Sequence, residues 1–220
     1  MANREPVLRT KRLEIRPMTD AEIRATIEAT SVEKMKNTCA RMLELCARDP
    51  ENRIWYAPWK ICLKKDQTRV GELGFLGPAV DNTVEIGFGI NEDQRGNGYT
   101  HEALSAVLEW AFSTPGVFFI EAEAEDDNHC TKKVLEKLEF KPDGIGEEGT
   151  RYVREKVEAW LSVYLCFGMA IGTALGASFG NIGLGISLGL CIGMGVGALL
   201  DTCMKKKRAK ARELKRSLES

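Results

Sequence analysis

The spacing of apolar residues divides the chain into two regions that follow different rules. Over residues 8–157 the pattern switches between a period of two and a period near 3.6, the signature of strands and helices in one domain. Leu13, Glu14, Ile15 and Arg16 alternate as a short strand. Thr19, followed by Asp20 and Glu22, supplies a cap and first-turn acid for a helix ending near Ala29. Met35, Cys39, Met42, Leu43 and Cys46 then recur at helical spacing, with Ser31 as the expected cap and Asp49-Pro50 as the stop. Residues 59–63, 70–76 and 83–90 read as three strands of an antiparallel meander, bounded by Gly, Pro, Asp and Asn. A glycine-bearing loop over 91–98 leads into a helix whose apolar face is Leu104, Val107, Leu108 and Ala111. A strand over 117–122 precedes a helix capped at Asn128 with Val134, Leu135 and Leu138 inward, and a last strand pair falls near Phe140 and 152–157. The order β, α, α, β, β, β, α, β, α predicts a mixed α/β domain.

Beyond Glu158 the rules change, because residues 159–200 contain no charged side chain. That span suffices for two membrane crossings of about 20 residues each. Gly168, Gly172, Gly176 and Gly180 recur every fourth residue, and after a break at 181–184 the spacing returns at Gly185, Gly189, Gly193 and Gly197. In water each helical glycine costs about 1 kcal/mol relative to alanine. In lipid a glycine face lets two helix backbones approach closely, so the repeat predicts a two-helix transmembrane hairpin with Asn181 in its turn. A buried soluble hairpin or a β-prone glycine-rich segment is the alternative. The expected organisation is a domain over 1–158, a glycine-zipper hairpin over 159–204 and a basic tail over 205–220.

Charge sharpens the topology. Residues 201–220 hold eight Lys/Arg and three Asp/Glu, about +5, leaving 23 Lys/Arg against 29 Asp/Glu upstream, about −6. A basic run just past a span is what the positive-inside rule expects on the cytoplasmic side. Two crossings then return both flanks to that side, so membrane lipid is an expected partner. Without interleaved aromatics the tail does not point to nucleic acid. Residues 1–11 are polar and lack a secretory apolar run. The seven cysteines are odd in number and scattered, with no C-x-x-C pair and no His at metal spacing, which points to a reducing compartment and no metal site.

The chemistry concentrates between Val84 and Thr100. With Val84, Ile86, Phe88 and Ile90 facing the core, Glu85, Gly87 and Gly89 share the other face, where two missing side chains open a space. Gly96 and Gly98 let the following loop curl so that backbone N–H groups point outward at a helix N-terminus, which suits a pyrophosphate. The stretch lacks the parallel βαβ context of a Rossmann site and does not end in Gly-Lys-Ser/Thr as a P-loop does. Strand, Arg-x-x-Gly-x, helix, strand, Asn-capped helix instead resembles the GNAT acetyltransferase superfamily, in particular the branch of the ribosomal-protein alanine acetyltransferases. The resemblance spans about residues 8–157. The family's acyl-CoA motif, Arg/Gln-x-x-Gly-x-Gly/Ala, falls on Arg95, Gly98 and Thr100, with Thr100 in place of a smaller residue. Arg9-Thr10-Lys11-Arg12-Leu13, Arg16-Pro17, Glu102-Ala103 and residues 128–140 are similar to the same branch.

That resemblance implies a mostly antiparallel sheet flanked by helices, and transfer of an acetyl group from acetyl-CoA to a primary amine of a small molecule, peptide or protein N-terminus. It implies that the backbone of Phe88, Gly89 and Ile90 pairs with the pantetheine arm. Amides of Arg95, Gly96, Asn97, Gly98, Tyr99 and Thr100 hold the pyrophosphate, and Asn128 and Thr131 lie near the thiol. Leu135 stands where other branches carry a tyrosine acid, and Glu139 replaces a helix-ending glycine. An amine attacks a thioester only when neutral, so a base is required. Glu85 is the candidate, with Thr131 as proton donor to the leaving thiolate and a backbone N–H of the fourth strand as oxyanion partner. Glu85 also reads as a solvated strand carboxylate, and Asn128 with Thr131 as an ordinary helix cap. His101 and His129 have no recognisable partner, and Cys130 reads as packing. Glu121, Glu123, Glu125, Asp126 and Asp127 form an acidic strip, read either as solvated or as favouring a cationic acceptor. A second function class is a non-catalytic acyl-CoA-binding module on a glycine-zipper element that self-associates.

Overall fold

A computed structural model describes residues 6–157 and 160–219. The chain divides into two compact units, Met1–Lys156 and Val157–Ser220. The boundary expected at residue 158 lies outside the described residues.

In the first unit the strands are β1 (Leu8–Arg9), β2 (Leu13–Pro17), β3 (Trp59–Leu63), β4 (Arg69–Phe75), β5 (Thr83–Ile90), β6 (Phe119–Ala124), β7 (Lys141–Ile145) and β8 (Thr150–Glu155). They form one sheet in the order β1-β2-β3-β4-β5-β6-β8-β7. Every neighbouring pair is antiparallel except β5 and β6. The helices of this unit are α1 (Asp20–Ala29), α2 (Glu33–Arg48), α3 (Arg53–Tyr56), α4 (Tyr99–Ser113) and α5 (His129–Lys137). This is the mixed α/β domain that the periodicity predicts, with the mostly antiparallel sheet that the family resemblance implies.

Alternation assigns the two faces of the sheet. Leu13, Ile15, Trp59, Ile61, Leu73, Phe75, Val84 and Ile86 turn to one face and join Leu104, Val107, Leu108 and Ala111 of α4 and Leu135 of α5 in the main core. Trp55, Trp59, Phe75 and Trp110 meet there with ring centroids 4.8–6.2 Å apart. A second cluster of Met18, Ile23 and Cys39, with Ile27 and Leu43 against it, joins α1 to α2. Arg16 of β2 and Lys60 of β3 both bind the Glu22 carboxylate at 2.7 Å. Burial opposes the charge of Glu22, but hydrogen bonds from Arg16, Lys60 and the Thr19 amide outweigh it and hold the carboxyl far below the ordinary range. Thr19 and Glu22 also form the reciprocal capping box that starts α1.

The cap of α2 differs from expectation. Its N-cap is Val32, with no side-chain hydrogen bond, so Ser31 stands one residue too early to reach the first-turn amides.

The second unit contains α6 (Trp160–Ser178) and α7 (Ile182–Glu219). Gly180 at φ +71° and an Asn181 N–H donating to the Gly176 carbonyl at 2.8 Å close α6 in a left-handed cap. Asn181 then caps α7, its Oδ1 accepting from the Leu184 N–H at 3.1 Å. The glycine registers face each other antiparallel. A Cβ added at Gly168, Gly172, Gly185 or Gly189 would stand well inside 3.0 Å of a backbone oxygen of the facing helix, pairing Gly168 with Gly189 and Gly172 with Gly185. Phe167, Ile171, Leu175, Leu184, Leu188 and Ile192 point outward, each more than half exposed.

Among the described residues one helical stretch, Ile182–Met204, has the length and composition to cross a membrane, while Ser162–Ser178 is a shorter apolar helix. Of the two crossings expected, one helix has the length and composition of a span and the other is a shorter apolar helix. The helix α7 continues through residues 205–219. Lysines and arginines placed toward a helix C-terminus oppose the negative end of its dipole, so the run is compatible with helix.

Candidate active site

The site begins where the parallel pairing stops. β5 and β6 pair through Thr83–Phe119, Val84–Ile120 and Glu85–Glu121. Beyond that rung the two strands no longer pair with each other, although each keeps its outer neighbour: Ile86, Gly87, Phe88, Gly89 and Ile90 stay paired with β4, and Ala122, Glu123 and Ala124 with β8. The end of pairing between two neighbouring strands leaves a wedge between them. Phe88 and Ile90 pack partly buried against the core, and Gly87 and Gly89 lie on the opposite face, where an added Cβ would meet nothing within 4 Å. The space inferred from two missing side chains is present.

Glu85 occupies the last shared rung and is half-buried. Glu121, its partner across the rung, is only 7% exposed. Paired residues of adjacent strands point to the same face, so two carboxylates stand side by side at the base of the wedge. Sequence reading placed Glu121 in a solvated or acceptor-facing acidic strip. The structure separates that strip. Glu123 is also enclosed, facing Arg151 at 3.5 Å and accepting from the Glu148 N–H at 2.8 Å, while Glu125, Asp126 and Asp127 are exposed. Strand alternation carries the signal that separates them, since Glu121 and Glu123 fall on one face of β6.

From Ile90 the chain passes through a turn of 3-10 helix, Glu92–Gln94, into the glycine loop. Gly96 and Gly98 have φ of +80° and +77°, conformations that side chains other than glycine rarely adopt. Gly98 is the N-cap of α4 and provides no side-chain cap, so the first-turn N–H groups of Tyr99, Thr100 and His101 have no side-chain acceptor there. The Arg95 amide donates to the Glu92 carbonyl within the loop at 3.3 Å. Its side chain is exposed and 3.5 Å from Glu92. Gly96, Asn97, Gly98, Tyr99 and Thr100 form the curl that opens at the helix end.

Asn128 caps α5 through its Oδ1, which accepts from the Thr131 N–H at 3.1 Å. The capping reading of this pair is thus correct, and the side-chain NH2 of Asn128 is not used by the cap. Thr131 is half-buried in the first turn. Leu135 is fully buried in the core, a position unsuited to a phenol acid. His101 and His129 are exposed, and so is Cys130, which corrects its reading as a packing residue. Among the described residues no group of three His, Cys, Asp or Glu side chains could hold a metal ion.

Residues 12–141 match the acetyltransferase (GNAT) domain family. The chain belongs to the GNAT acetyltransferases. Residues 156–202 match a second family, the glycine zipper membrane proteins. Among curated relatives, the uncharacterized N-acetyltransferase YjdG of Bacillus subtilis is 42% identical over 83 residues, covering 37% of this chain and 49% of its own length. The uncharacterized N-acetyltransferase YoaA of Bacillus subtilis is 26% identical over 64% of this chain and 85% of its own. The chain therefore spans about half of the first relative and most of the second. Solved folds agree. A GNAT acetyltransferase from Bacillus anthracis superposes with a TM-score of 0.52 at 20% identity, over 68% of this chain and 98% of its own. A ribosomal L7/L12 α-N-protein acetyltransferase in complex with coenzyme A gives 0.55 at 15% identity, over 68% of this chain and 98% of its own.

The GNAT domain presents open space at Gly87, Gly89 and Gly96 and an uncapped start of α4, which together fit an extended thioester with a pyrophosphate at one end. A groove of about 550 Å³ lies under α1, lined by Glu22, Thr26, Lys60, Cys62 and Arg69 among others. Lys60 pairs with Glu72, and Glu72 with Gly89, so this groove opens on the same sheet face as Glu85.

Proposed function

We propose that this GNAT acetyltransferase moves the acetyl group of acetyl-CoA onto a primary amine in a ternary complex, held at a membrane by its glycine hairpin. The observation that carries the reading is the end of β5–β6 pairing at Glu85 and Glu121, beside two glycines that face open space. Phe88, Gly89 and Ile90 offer a strand edge to the pantetheine amides, and Gly96, Asn97, Gly98, Tyr99 and Thr100 receive the pyrophosphate. The acceptor amine enters over the face shared by Glu85, Glu72 and Lys60, in the form of a small molecule, peptide or protein N-terminus.

Glu85 takes a proton from the ammonium, directly or through water, with Glu121 as the second carboxylate on its rung. The neutral nitrogen attacks the thioester carbon, and a β5 backbone N–H stabilises the oxyanion. The C–S bond breaks, Thr131 gives its proton to the departing thiolate, and the proton shed by the acylated nitrogen passes through solvent to replace it. The apolar outer face of α7 and the internal engagement of the glycines support the hairpin as an anchor, with the domain and the basic end of α7 on the cytoplasmic side.

Release of free CoA by the full chain over a panel of amines tests the reading, with Gly98→Trp as the blocked control. Turnover is expected, with Glu85→Gln lowering kcat about 100-fold and Glu121→Gln about tenfold. Absence of both CoA binding and turnover in the wild type would overturn the assignment. Alkaline extraction tests the anchor, and recovery of intact protein in the soluble fraction would remove it.

A further inference from the structure

Arg12 lies at the start of β2, far in sequence from the glycine loop, yet it joins the loop to the helix that follows. Its Nη1 donates to the backbone carbonyl of Asn97 at 3.0 Å, and its Nε to Glu102 Oε2 at 2.7 Å. Its own amide and the Thr10 hydroxyl donate to Glu102 Oε1 at 2.8 and 2.5 Å. The guanidinium carbon stands 4.7 Å from the centre of the Tyr99 ring, and a Cβ on Gly98 would lie 3.7 Å from Nη2. Asn97 and Tyr99 are thus both touched by one cation, which also borders the side-chain position left empty at Gly98.

We propose that Arg12, fixed by Glu102, is a positioning residue that aims the Gly98 amide at the pyrophosphate of the acyl-CoA donor. The inference rests on the reading that this loop holds the pyrophosphate. A trans peptide points its carbonyl and its N–H in opposite directions. Pinning the Asn97 carbonyl toward Arg12 therefore turns the Gly98 N–H away from Arg12, toward the open end of α4. Gly98 has a left-handed φ and no side chain, so nothing within the residue itself fixes that peptide plane. An external donor has to do so.

Arg12 also answers an electrostatic difficulty. Glu102 sits in the first turn of α4, where its charge suits the helix dipole but opposes a bound pyrophosphate. Burial works against that charge. Hydrogen bonds from Thr10, the Arg12 amide and the Arg12 guanidinium nevertheless hold the Glu102 carboxyl below the usual range, so it stays ionised at neutral pH. The neighbouring guanidinium cancels it, leaving the anion to meet backbone donors and a neutral pair. In return the carboxylate fixes Arg12, which is 44% exposed at its side chain and would otherwise sample many rotamers.

Two measurements on the full chain test this. In the ligand-free protein, hydrogen exchange of the bonded amides at the two ends of the loop, Arg95 (to the Glu92 carbonyl) and Glu102 (to the Gly98 carbonyl), is expected to quicken in Arg12→Gln and to be partly restored in Arg12→Lys. Unchanged exchange in Arg12→Gln would overturn the proposal, whether or not the chain binds CoA. By calorimetry, Arg12→Gln is expected to weaken CoA about 10- to 30-fold, the scale of one charge-assisted hydrogen bond. The same loss is expected for 3′-dephospho-CoA, which keeps the pyrophosphate. A loss confined to CoA would show a direct contact to the 3′-phosphate and overturn the aiming role. Glu102→Gln should reproduce the exchange change without removing the guanidinium, and its failure to do so would count against the clamp. Absence of CoA binding in the wild type would remove the functional reading, while the exchange result would still decide the loop geometry.

Discussion

Glycine does opposite work in the two units. In the hairpin, Gly168, Gly172, Gly185 and Gly189 leave no room, since an added Cβ at any of them would collide with the facing backbone. In the GNAT domain, Gly87, Gly89 and Gly96 leave room that no protein atom fills, since an added Cβ would meet nothing within 4 Å. The missing side chain allows chain-to-chain contact in the first case and leaves open space in the second. Sequence shows both as glycines at regular intervals, four apart on helices and two apart on a strand. Only the position of the neighbouring backbone tells them apart. The comparison also bears on assembly, because the paired glycine faces of α6 and α7 already face each other within one chain.

The largest effect is expected in the hairpin. Gly189→Leu should push α6 and α7 apart, from a glycine-face approach toward the interaxial spacing of about 8–10 Å of ordinary helix pairs. Gly195→Leu, whose Cβ position is open, should leave the pair intact. Spin-label distances across the hairpin in lipid check this, and equal spacing in both variants would break the distinction. Next is Gly89→Ala. It should leave the thermal midpoint of the ligand-free protein unchanged or slightly higher, because alanine is no worse than glycine in a strand. CoA affinity should fall about tenfold, as a methyl group occupies the wedge. A loss of stability instead would show that this glycine serves packing, like those of the hairpin. The smallest effect concerns a glycine that is missing. Glu139 ends α5 at φ +62°, where left-handed backbone costs a side chain about 1–2 kcal/mol. Glu139→Gly relieves that strain and loses an exposed contact to Arg154 at 3.6 Å. A net gain of about 0.5–1 kcal/mol is expected, read as a rise of roughly 1–4 °C in thermal midpoint.

The elements of the fold were legible because each carries a local period: Leu13 to Arg16 at two, Leu104 to Ala111 near 3.6, and Thr19 with Glu22 as a capping pair. Boundaries were less so, as the shift of the α2 cap from Ser31 to Val32 shows. At the candidate site, Glu85 and the two glycine pairs were readable from alternation and loop chemistry. Glu121 was not, because its importance depends on which residue lies beside it, and a parallel neighbour can be any of several residues along β6. Arg12 was visible as part of a family-like run but had no assignable partner, since Glu102 and Asn97 lie at least 85 positions away.

By itself the sequence determined the alternation of elements, the change of rules after residue 158, the two glycine registers and the membership of residues 12–141 in the GNAT acetyltransferases. These follow from short-range chemistry, in which a residue's neighbours along the chain decide its role. Tertiary structure decided where β5 parts from β6, which carboxylates meet at that point, and which side chain joins the glycine loop to Glu102. Those are properties of strand pairing and loop closure, which join residues that the order of the chain keeps apart.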